Sequence, residues 1–371
     1  MAPKIVLLGY YGSKNTGDEA MLDSLGNAIT KLYPNAQIFV FSTNPAYTEC
    51  LHGLKAVQRV YKFPDFFTCF LKRFAIIRKC DLVIIGGGGL YNDIWHILPF
   101  AWFEILLAKI FNKPVYVCGV DVGPYQRRLS KALAKLFLKA VDAVTIRSKG
   151  SLEEISKIGI SAQQSADLTL LRGKGDKNRG KKLLEDNGIP RKRLVGVSLR
   201  QLTIDRKKAI DPAAVANVLD KFLDDTKIHI VFIPFQFPDD LSLSERVMDH
   251  MSNKENIFVL ENELNFREIK DAIANLDFLI GMRLHSLIFA TVNIIPFFAV
   301  SYHPKVKDFC GMFSNTIPYV EIRDLKTYDI FYEKLVKAYS QQDKIKKSIL
   351  QSSPGLRKKA EANLRIIKDL I

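Results

Sequence analysis

The chain has 371 residues, 48% of them hydrophobic and 25% charged, so it can bury a large core and is not an intrinsically disordered protein. Lysine and arginine number 54 against 39 aspartates and glutamates. The resulting net charge of +15 points to nucleic acid, an anionic membrane surface or a small anion as partner. Five scattered cysteines without a CxxC pair indicate buried thiols in a reducing compartment and give no support to disulfides or a zinc site.

The N-terminus predicts a buried strand and argues against a secretory signal. Lys4 is followed by only four apolar residues before Gly9, which is too short for the hydrophobic part of a signal peptide. The stretch that comes nearest to a membrane span, residues 94–111, is interrupted by a histidine, a proline and two charged residues. We therefore expect a cytoplasmic protein.

Apolar β-branched runs alternate with amphipathic stretches in both halves of the chain. Strands are predicted at residues 4–8, 37–42, 82–85, 114–117 and 143–146, and again at 194–198, 229–234, 257–260, 278–280 and 295–300. Apolar strands separated by helices of about 10–15 residues are typical of parallel sheets covered on both faces. The sequence therefore predicts an α/β protein with two Rossmann-like domains facing a cleft.

The domain boundary is predicted where glycine, proline and charge are concentrated. Residues 173–193 carry a net charge of +5, against +8 for residues 1–172 and +2 for residues 194–371. Such a composition is typical of a linker. We predict an N-terminal domain at 1–172, a C-terminal domain at 194–350 and a C-terminal helix at 351–371.

Two glycine-rich loops follow strands of the N-terminal domain. In the first, Asn15 or Asp18 can cap the next helix, and the absence of GxGxxG and P-loop patterns disfavours NAD and ATP. The second has four glycines at residues 86–89 and leads to Asp93. So many glycines suggest backbone that approaches a ligand closely, with amides that can hold a phosphate. The alternative for the first loop is an ordinary turn with a capping residue, and the alternative for the second loop is a flexible turn.

Further strand ends carry cations. Arg147 is suited to bidentate capture of a carboxylate or phosphate, the alternative being an exposed surface arginine. Arg283 and His285 lie between an apolar strand and an apolar helix, in a first helical turn whose dipole favours anions. Lys305 follows the next predicted strand on the same sheet edge, and Arg200 ends the first strand of the C-terminal domain. In open α/β sheets ligands bind at such strand ends, so we expect an anion site there.

These motifs, in this order, resemble those of the polysaccharide pyruvyl transferase family. They are Gly9-Tyr-Tyr-Gly with Asn15-Thr-Gly-Asp-Glu-Ala, Ile84-Ile-Gly-Gly-Gly-Gly, Thr145-Ile-Arg-Ser and Gly281-Met-Arg-Leu-His-Ser, and the resemblance spans residues 4–310. Within the family the chain looks most like the CsaB-like bacterial cell-wall pyruvyl transferases. One departure is Ser148, where the family pattern leads us to expect an acidic residue after the arginine.

The resemblance implies a GT-B-like fold, phosphoenolpyruvate as donor, a pyruvate ketal on a saccharide as product, and no cofactor or metal. The C-terminal domain would bind the donor and the N-terminal domain the acceptor. The donor-binding residues would be the strand-end cations Arg147, Arg200, Arg283 and Lys305. The catalytic residues would be His285, as acid, base or phosphate stabiliser, and Arg147. The acceptor would meet the two glycine loops and their carboxylates, at Asn15, Asp18, Glu19, Gly87, Gly88 and Asp93.

Two other classes of function compete with this interpretation. A GT-B glycosyltransferase that uses a nucleotide sugar normally needs a carboxylate to hold the ribose, and the predicted helix at residues 284–292 contains none. A nucleic-acid-binding protein is disfavoured because the basic residues are not interleaved with aromatic residues on one element, and no nucleic-acid motif is present. We expect no nucleic acid partner.

An anionic membrane surface is a more natural partner for the positive charge. Lys131, Lys135 and Lys139 share one face of a predicted helix. Further basic residues flank it or form a second cluster, namely Arg127, Arg128, Lys72, Arg73, Arg78 and Lys79. The alternative is an ordinary solvated helix face. Because acceptors in the family that the chain resembles are commonly lipid-diphosphate-linked saccharides, we expect a peripheral position at the inner face of the cytoplasmic membrane.

Overall fold

A computed structural model describes residues 2–59, 66–89, 98–125, 127–190, 192–202, 210–313 and 316–371. The chain divides into two compact units. Unit 1 comprises Met1–Leu171 together with Leu356–Ile371, and unit 2 comprises Arg172–Gly355. In the part of the chain that the structure describes, no helix combines the length and apolar character needed to cross a membrane.

Unit 1 is built on a seven-stranded parallel sheet. Its strands are β1 (Lys4–Leu8), β2 (Gln37–Ser42), β3 (Lys55–Gln58), β4 (Leu82–Gly86), β5 (Val115–Val120), β6 (Ala143–Ile146) and β7 (Gln163–Gln164), in the order β3-β2-β1-β4-β5-β6-β7. The helices between them are α1 (Thr16–Leu32), α2 (Pro45–His52), α3 (Phe66–Lys79), α4 (Leu98–Ile110), α5 (Arg128–Ala140) and α6 (Lys149–Lys157). Successive strand residues belong to different cores, Val6 to one and Ile5 to the other, because side chains alternate across a sheet. Both faces of the sheet are therefore covered, as predicted.

Unit 2 repeats this arrangement with six strands. They are β8 (Leu194–Ser198), β9 (His229–Phe232), β10 (Ile257–Val259), β11 (Phe278–Gly281), β12 (Phe297–Ser301) and β13 (Tyr319–Glu321), in the order β10-β9-β8-β11-β12-β13. The helices are α7 (Lys177–Asp186), α8 (Pro212–Thr226), α9 (Asp239–His250), α10 (Phe266–Ile273), α11 (Leu284–Asn293), α12 (Pro304–Gly311) and α13 (Tyr328–Ser340). Both sheets reverse their strand order once, next to β1 and next to β8, which is the doubly wound topology. The predicted α/β class with two Rossmann-like sheets is confirmed.

The range that the sequence suggests as a linker contains α7, which belongs to unit 2. Gly180 of α7 lies so close to α10 that an added Cβ would meet the Asp271 carbonyl oxygen at 2.0 Å. Asp271 also accepts a hydrogen bond from the amide of Asp176, the N-cap of α7, at 2.7 Å. Gly180 and Asp176 therefore hold α7 against α10. This range is a packed helix of unit 2 and not the linker that the sequence suggests.

The last helix, α14 (Gln342–Leu370), begins nine residues before the predicted C-terminal helix, and residues from Leu356 onward belong to unit 1. Asn363 is fully buried there. Its Oδ1 accepts hydrogen bonds from Thr145 Oγ1 at 2.6 Å and Tyr116 Oη at 3.2 Å, and its Nδ2 donates to the Ala166 carbonyl at 3.1 Å. One polar side chain thus ties the end of the chain to β5 and β6.

Candidate functional site

The carboxyl ends of three adjacent strands bring the cations of unit 2 together. Gly281 of β11 is in register with Ser198 of β8 on one side and with Ala299 of β12 on the other. This confirms that the strands preceding Arg283 and Lys305 are neighbours. The chain leaves β8 toward Arg200, at the point where the strand order reverses and ligands bind in open α/β sheets.

Arg283 is the N-cap residue of α11 and is held by a carboxylate. Its Nε donates to Asp240 Oδ2 at 2.8 Å and its Nη2 donates to Asp240 Oδ1 at 2.6 Å, a bidentate pair. Asp240, in the first turn of α9, is fully buried and also accepts from the backbone amides of Gln201, Phe235 and Gln236. The predicted donor-binding role of Arg283 is thereby limited, because one edge of its guanidinium is occupied by Asp240.

His285 and Lys305 each lie in the first turn of a helix that follows one of the paired strands. His285 is the second residue of α11 and is partly buried. Lys305 is the second residue of α12, whose N-cap, His303, accepts a hydrogen bond from the Lys305 amide at 3.4 Å. His303 is thus the capping residue of α12. Both helix starts present amides and positive dipole ends to the same sheet edge, a favourable position for an anion.

Arg200 and Lys305 converge on a residue that the sequence did not single out, Tyr302. Arg200 Nη1 donates to Tyr302 Oη at 2.6 Å, and the guanidinium carbon lies 4.8 Å from the ring centre. Lys305 Nζ lies 5.7 Å from the same ring centre. Burial disfavours the phenolate, but Lys305, Arg200 and Arg283 outweigh it and lower the pKa of Tyr302 from 10.0 to about 8.

The positive charge at this edge is only partly neutralised. Asp240 balances Arg283, whereas neither Arg200 nor Lys305 forms an ion pair with a carboxylate among the residues that the structure describes. Two cations that no carboxylate of the described residues neutralises, placed beside two helix N-termini, form a favourable environment for a small molecule with several negative charges. Chemically, the edge offers cations for a carboxylate or phosphate, together with an imidazole, His285, and a phenol, Tyr302, as acid–base groups.

In unit 1 the two glycine loops meet at Asp18. Asn15 is the N-cap of α1, and its Oδ1 accepts from the amides of Gly17 at 3.1 Å and Asp18 at 3.3 Å. Gly87 and Gly88 both have left-handed backbone, with φ of 89° and 71°, which side chains rarely adopt. A Cβ on Gly88 would meet Asp18 Oδ1 at 2.9 Å. The predicted acceptor residues Asp18, Gly87 and Gly88 therefore lie together at one end of β4.

Glu19, also predicted to bind the acceptor, is turned into the protein and is 1% exposed. Its Oε1 accepts from the Gly12 amide at 2.8 Å, and its Oε2 lies 3.0 Å from His52 Nε2. Both oxygens are engaged, so Glu19 holds the first loop in place rather than presenting a carboxylate to a ligand. Asp93 lies outside the residues that the structure describes.

Arg147, predicted to be catalytic and donor-binding, is buried between two carboxylates. Nε and Nη2 donate to Asp121 Oδ2 at 2.8 and 2.5 Å, Nη1 donates to Asp167, and all three side chains are at most 4% exposed. Burial alone would lower the pKa of Arg147, but the two aspartates outweigh it and raise the pKa. The guanidinium already pairs with two carboxylates, so its geometry indicates a positioning role and does not support anion capture. Ser148, which stands where an acid was expected, caps α6 instead.

The basic helices of unit 1 present a mixed surface. The lysines of α5 are exposed, as predicted, but Arg73 of α3 is buried and donates to Glu104 at 2.6 Å. Arg73 is therefore part of the interior and not of a basic surface. Large apolar side chains are exposed on the neighbouring helices α4 and α5, namely Leu106 at 54%, Ile110 at 63%, Leu129 at 52% and Leu136 at 57%.

Sequence reasoning missed the partners of the predicted cations. Asp240, Asp121 and Asp167 are far from the arginines along the chain, and no local pattern marks them. Tyr302 carried a weak signal, because it stands between a strand end and Lys305 in Ser301-Tyr-His-Pro-Lys.

Comparisons with known proteins bear on the family and the fold of this chain. A family model described as polysaccharide pyruvyl transferase matches residues 15–304. Amylovoran biosynthesis protein AmsJ of Erwinia amylovora is 25% identical over 350 residues, covering 81% of this chain and 84% of that protein. UDP-GlcNAc 2-epimerase from Neisseria meningitidis, bound to UDP-GlcNAc, has a TM-score of 0.68 at 9% identity and 99% coverage of both chains. Anabaena Alr3699/HepE in complex with UDP-glucose has a TM-score of 0.65 at 12% identity, covering 99% of this chain and 98% of that chain. The solved structures show that the fold is of the GT-B kind.

Proposed function

Because the chain belongs to the polysaccharide pyruvyl transferase family, we propose that it moves the enolpyruvyl group of phosphoenolpyruvate onto a saccharide, forming a pyruvate ketal and releasing phosphate. The observation that carries the proposal is the partly neutralised cation cluster at the ends of β8, β11 and β12. Phosphoenolpyruvate is small and carries about three negative charges, which suits clustered cations and two helix N-termini without a cofactor.

Donor binding is assigned mainly to the cations that no carboxylate of the described residues neutralises. Arg200 and Lys305 bind the phosphate and carboxylate, since no carboxylate among the described residues neutralises either of them. Arg283 contributes its charge and the remaining face of its guanidinium, while Asp240 fixes its orientation. His285, at the start of α11, accepts the proton of the attacking sugar hydroxyl and returns it to the leaving phosphate.

Acceptor binding is assigned to the meeting point of the glycine loops in unit 1. Asp18 accepts hydrogen bonds from sugar hydroxyls, and Gly87 and Gly88 leave room for the sugar beside it. Asn15, Glu19 and Arg147 position these groups: Asn15 caps α1, Glu19 holds the first loop, and Arg147 joins the ends of β5 and β6 to Asp167.

The donor assignment is tested by the equilibrium binding of phosphoenolpyruvate to the wild type, Arg200→Ala and Lys305→Ala. A hydrogen bond to a charged group contributes about 1.5–3 kcal/mol, so each variant is expected to bind about 10- to 100-fold more weakly. Lys307→Ala, an exposed lysine on the same helix as Lys305, serves as the control and should bind like the wild type. Binding of a UDP- or GDP-sugar but not phosphoenolpyruvate would favour the alternative, a nucleotide-sugar glycosyltransferase.

We also propose that α4 and α5 rest on an anionic membrane, where a lipid-diphosphate-linked acceptor is presented. Leu129 and Leu136 lie seven residues apart on α5 and are more than half exposed, next to the stripe formed by Lys131, Lys135 and Lys139. Exposed leucines beside lysines are typical of helices that bind a lipid interface.

Co-sedimentation with phosphatidylserine-containing vesicles tests the membrane contact. Each lysine near an anionic surface contributes about 1 kcal/mol, so changing the three α5 lysines to glutamine should weaken binding roughly a hundredfold at low salt. The matched control changes three exposed lysines of α14, Lys344, Lys346 and Lys347, to glutamine and removes the same charge. Equal loss in both variants would show that net charge alone attracts the protein and would overturn the assigned surface.

A further inference from the structure

Tyr302 occupies the centre of the cation cluster in unit 2. Its hydroxyl oxygen lies 2.6 Å from Arg200 Nη1, and Lys305 Nζ lies 5.7 Å from its ring centre. Arg200 and Lys305 therefore both lie beside the Tyr302 side chain, and an anion bound between them would lie close to it.

The groups around Tyr302 come from several elements. Arg200 follows β8, Arg283 caps α11 and is itself paired with Asp240 of α9, and Lys305 lies in α12. The ring of His303 lies 6.2 Å from the Tyr302 ring. The surroundings are thus strongly cationic, and Asp240 is engaged by Arg283.

We propose that Tyr302 is a second acid–base group of the transfer, donating a proton to the methylene carbon of phosphoenolpyruvate and later recovering one from the acceptor. This inference rests on the proposed function. Forming a ketal requires a proton for that carbon while a sugar hydroxyl loses its own, and one histidine cannot perform both transfers in the same step. The structure places a hydroxyl among the donor-binding cations, where the second group is needed.

The proton transfers balance over the cycle. In the addition, the Tyr302 O–H bond breaks and a C–H bond forms at the methylene carbon, while the first sugar oxygen bonds to the neighbouring carbon and its proton passes to His285. In the second step, the carbon–oxygen bond to phosphate breaks, and protonated His285 gives its proton to the phosphate. The second sugar oxygen bonds to the same carbon and its proton returns to the Tyr302 phenolate. Both side chains end as they began, and phosphate leaves with one proton.

The cations around Tyr302 set the pH range in which its hydroxyl can donate a proton. In the free protein the pKa of Tyr302 is lowered to about 8, so the phenolate becomes the major form above that pH. A bound anion offsets the cations and raises the pKa again, so the donor binds the protonated form in preference to the phenolate. The ratio kcat/KM is therefore expected to fall about tenfold per pH unit above pH 8.

The experiment compares the wild type with Tyr302→Phe and the control Tyr332→Phe. The Tyr332 hydroxyl donates a hydrogen bond to the surface residue Asp225. Desolvation of the phenol and the nearby Asp225 carboxylate both raise the pKa of Tyr332, to about 12. The wild type and the control should develop the ultraviolet absorbance of one tyrosinate with a midpoint near pH 8, shifted upward by phosphoenolpyruvate. Tyr302→Phe should lack this absorbance change, lose the alkaline fall in kcat/KM, and have a kcat roughly 100- to 10,000-fold lower.

A Tyr302→Phe variant that keeps the wild-type kcat and its alkaline fall would overturn the proposal while leaving pyruvyl transfer intact. Absence of phosphate release by the wild type with every acceptor would instead refute the proposed function. Arg200→Gln provides a second variant if Tyr302→Phe does not fold, because losing one cation should move the tyrosinate midpoint to higher pH. An unmoved midpoint would also contradict the proposal.

Discussion

Arginines at strand ends of this protein differ in whether a carboxylate neutralises them. Arg147 is saturated by two aspartates, Arg283 shares one edge with Asp240, and Arg200 bonds to a phenol. A guanidinium that already has its carboxylate gains little from a ligand, whereas one without a carboxylate gains a full charge-assisted bond. The sequence places all three arginines at strand ends, but their partners come from distant loops, and so it cannot rank them as ligands.

Removing Arg147 is therefore expected to affect stability first. Arg147→Ala leaves Asp121 and Asp167 buried without a counter-charge. Removing one partner of a buried ion pair lowers the free energy of unfolding by about 3–5 kcal/mol. Denaturant unfolding should show this loss, while phosphoenolpyruvate affinity of the folded fraction stays at the wild-type value.

Lys182→Ala is the control for Arg147, because Lys182 pairs with Asp186 on the surface and its loss should barely change stability. Wild-type stability of Arg147→Ala together with a lost affinity for phosphoenolpyruvate would restore the direct donor-binding role of Arg147.

Among the elements, central strands were predicted well, and so was the edge strand β10 (Ile257–Val259, predicted at 257–260), whereas the other edge strands in the described part of the chain were not predicted. β1, β2, β6 and β8 have the predicted bounds, because strands buried on both faces are uniformly apolar. The unpredicted β3, β7 and β13 are two to four residues long and lie at sheet edges, where pairing on one side gives a weaker apolar pattern. The charged range at 173–193 was predicted as a linker although it contains α7, because only Gly180 and Leu184 of that helix are buried and its apolar pattern is therefore weak.

The C-terminal helix depends on one buried amide. In Asn363→Ala the hydroxyls of Thr145 and Tyr116 lose their shared acceptor, and each unsatisfied buried group costs about 1–3 kcal/mol. We expect a lower denaturant midpoint and faster proteolysis of the C-terminus. Glu361→Ala, an exposed neighbour on α14, should match the wild type, and equal stability of the two variants would refute this account of the attachment.

For the whole molecule, net charge and site chemistry are separate features. Most of the +15 lies before residue 194, whereas the cations that we propose for donor binding, Arg200, Arg283 and Lys305, lie in the part with a net charge of only +2. Two parallel sheets covered by helices on both faces follow from the repeated β–α pattern that the sequence displays. The balance of charge at each site does not follow from it, because ion pairs such as that of Arg283 with Asp240 form only in the folded chain.

The central claim is tested most directly by phosphate release from phosphoenolpyruvate in the presence of saccharide acceptors, with the pyruvate ketal detected on the product. The wild type should release one phosphate per ketal formed, and His285→Ala should lower kcat about 100- to 10,000-fold, the range typical of a lost acid–base group. Release of UDP from a UDP-sugar with no phosphate released from phosphoenolpyruvate would contradict the account.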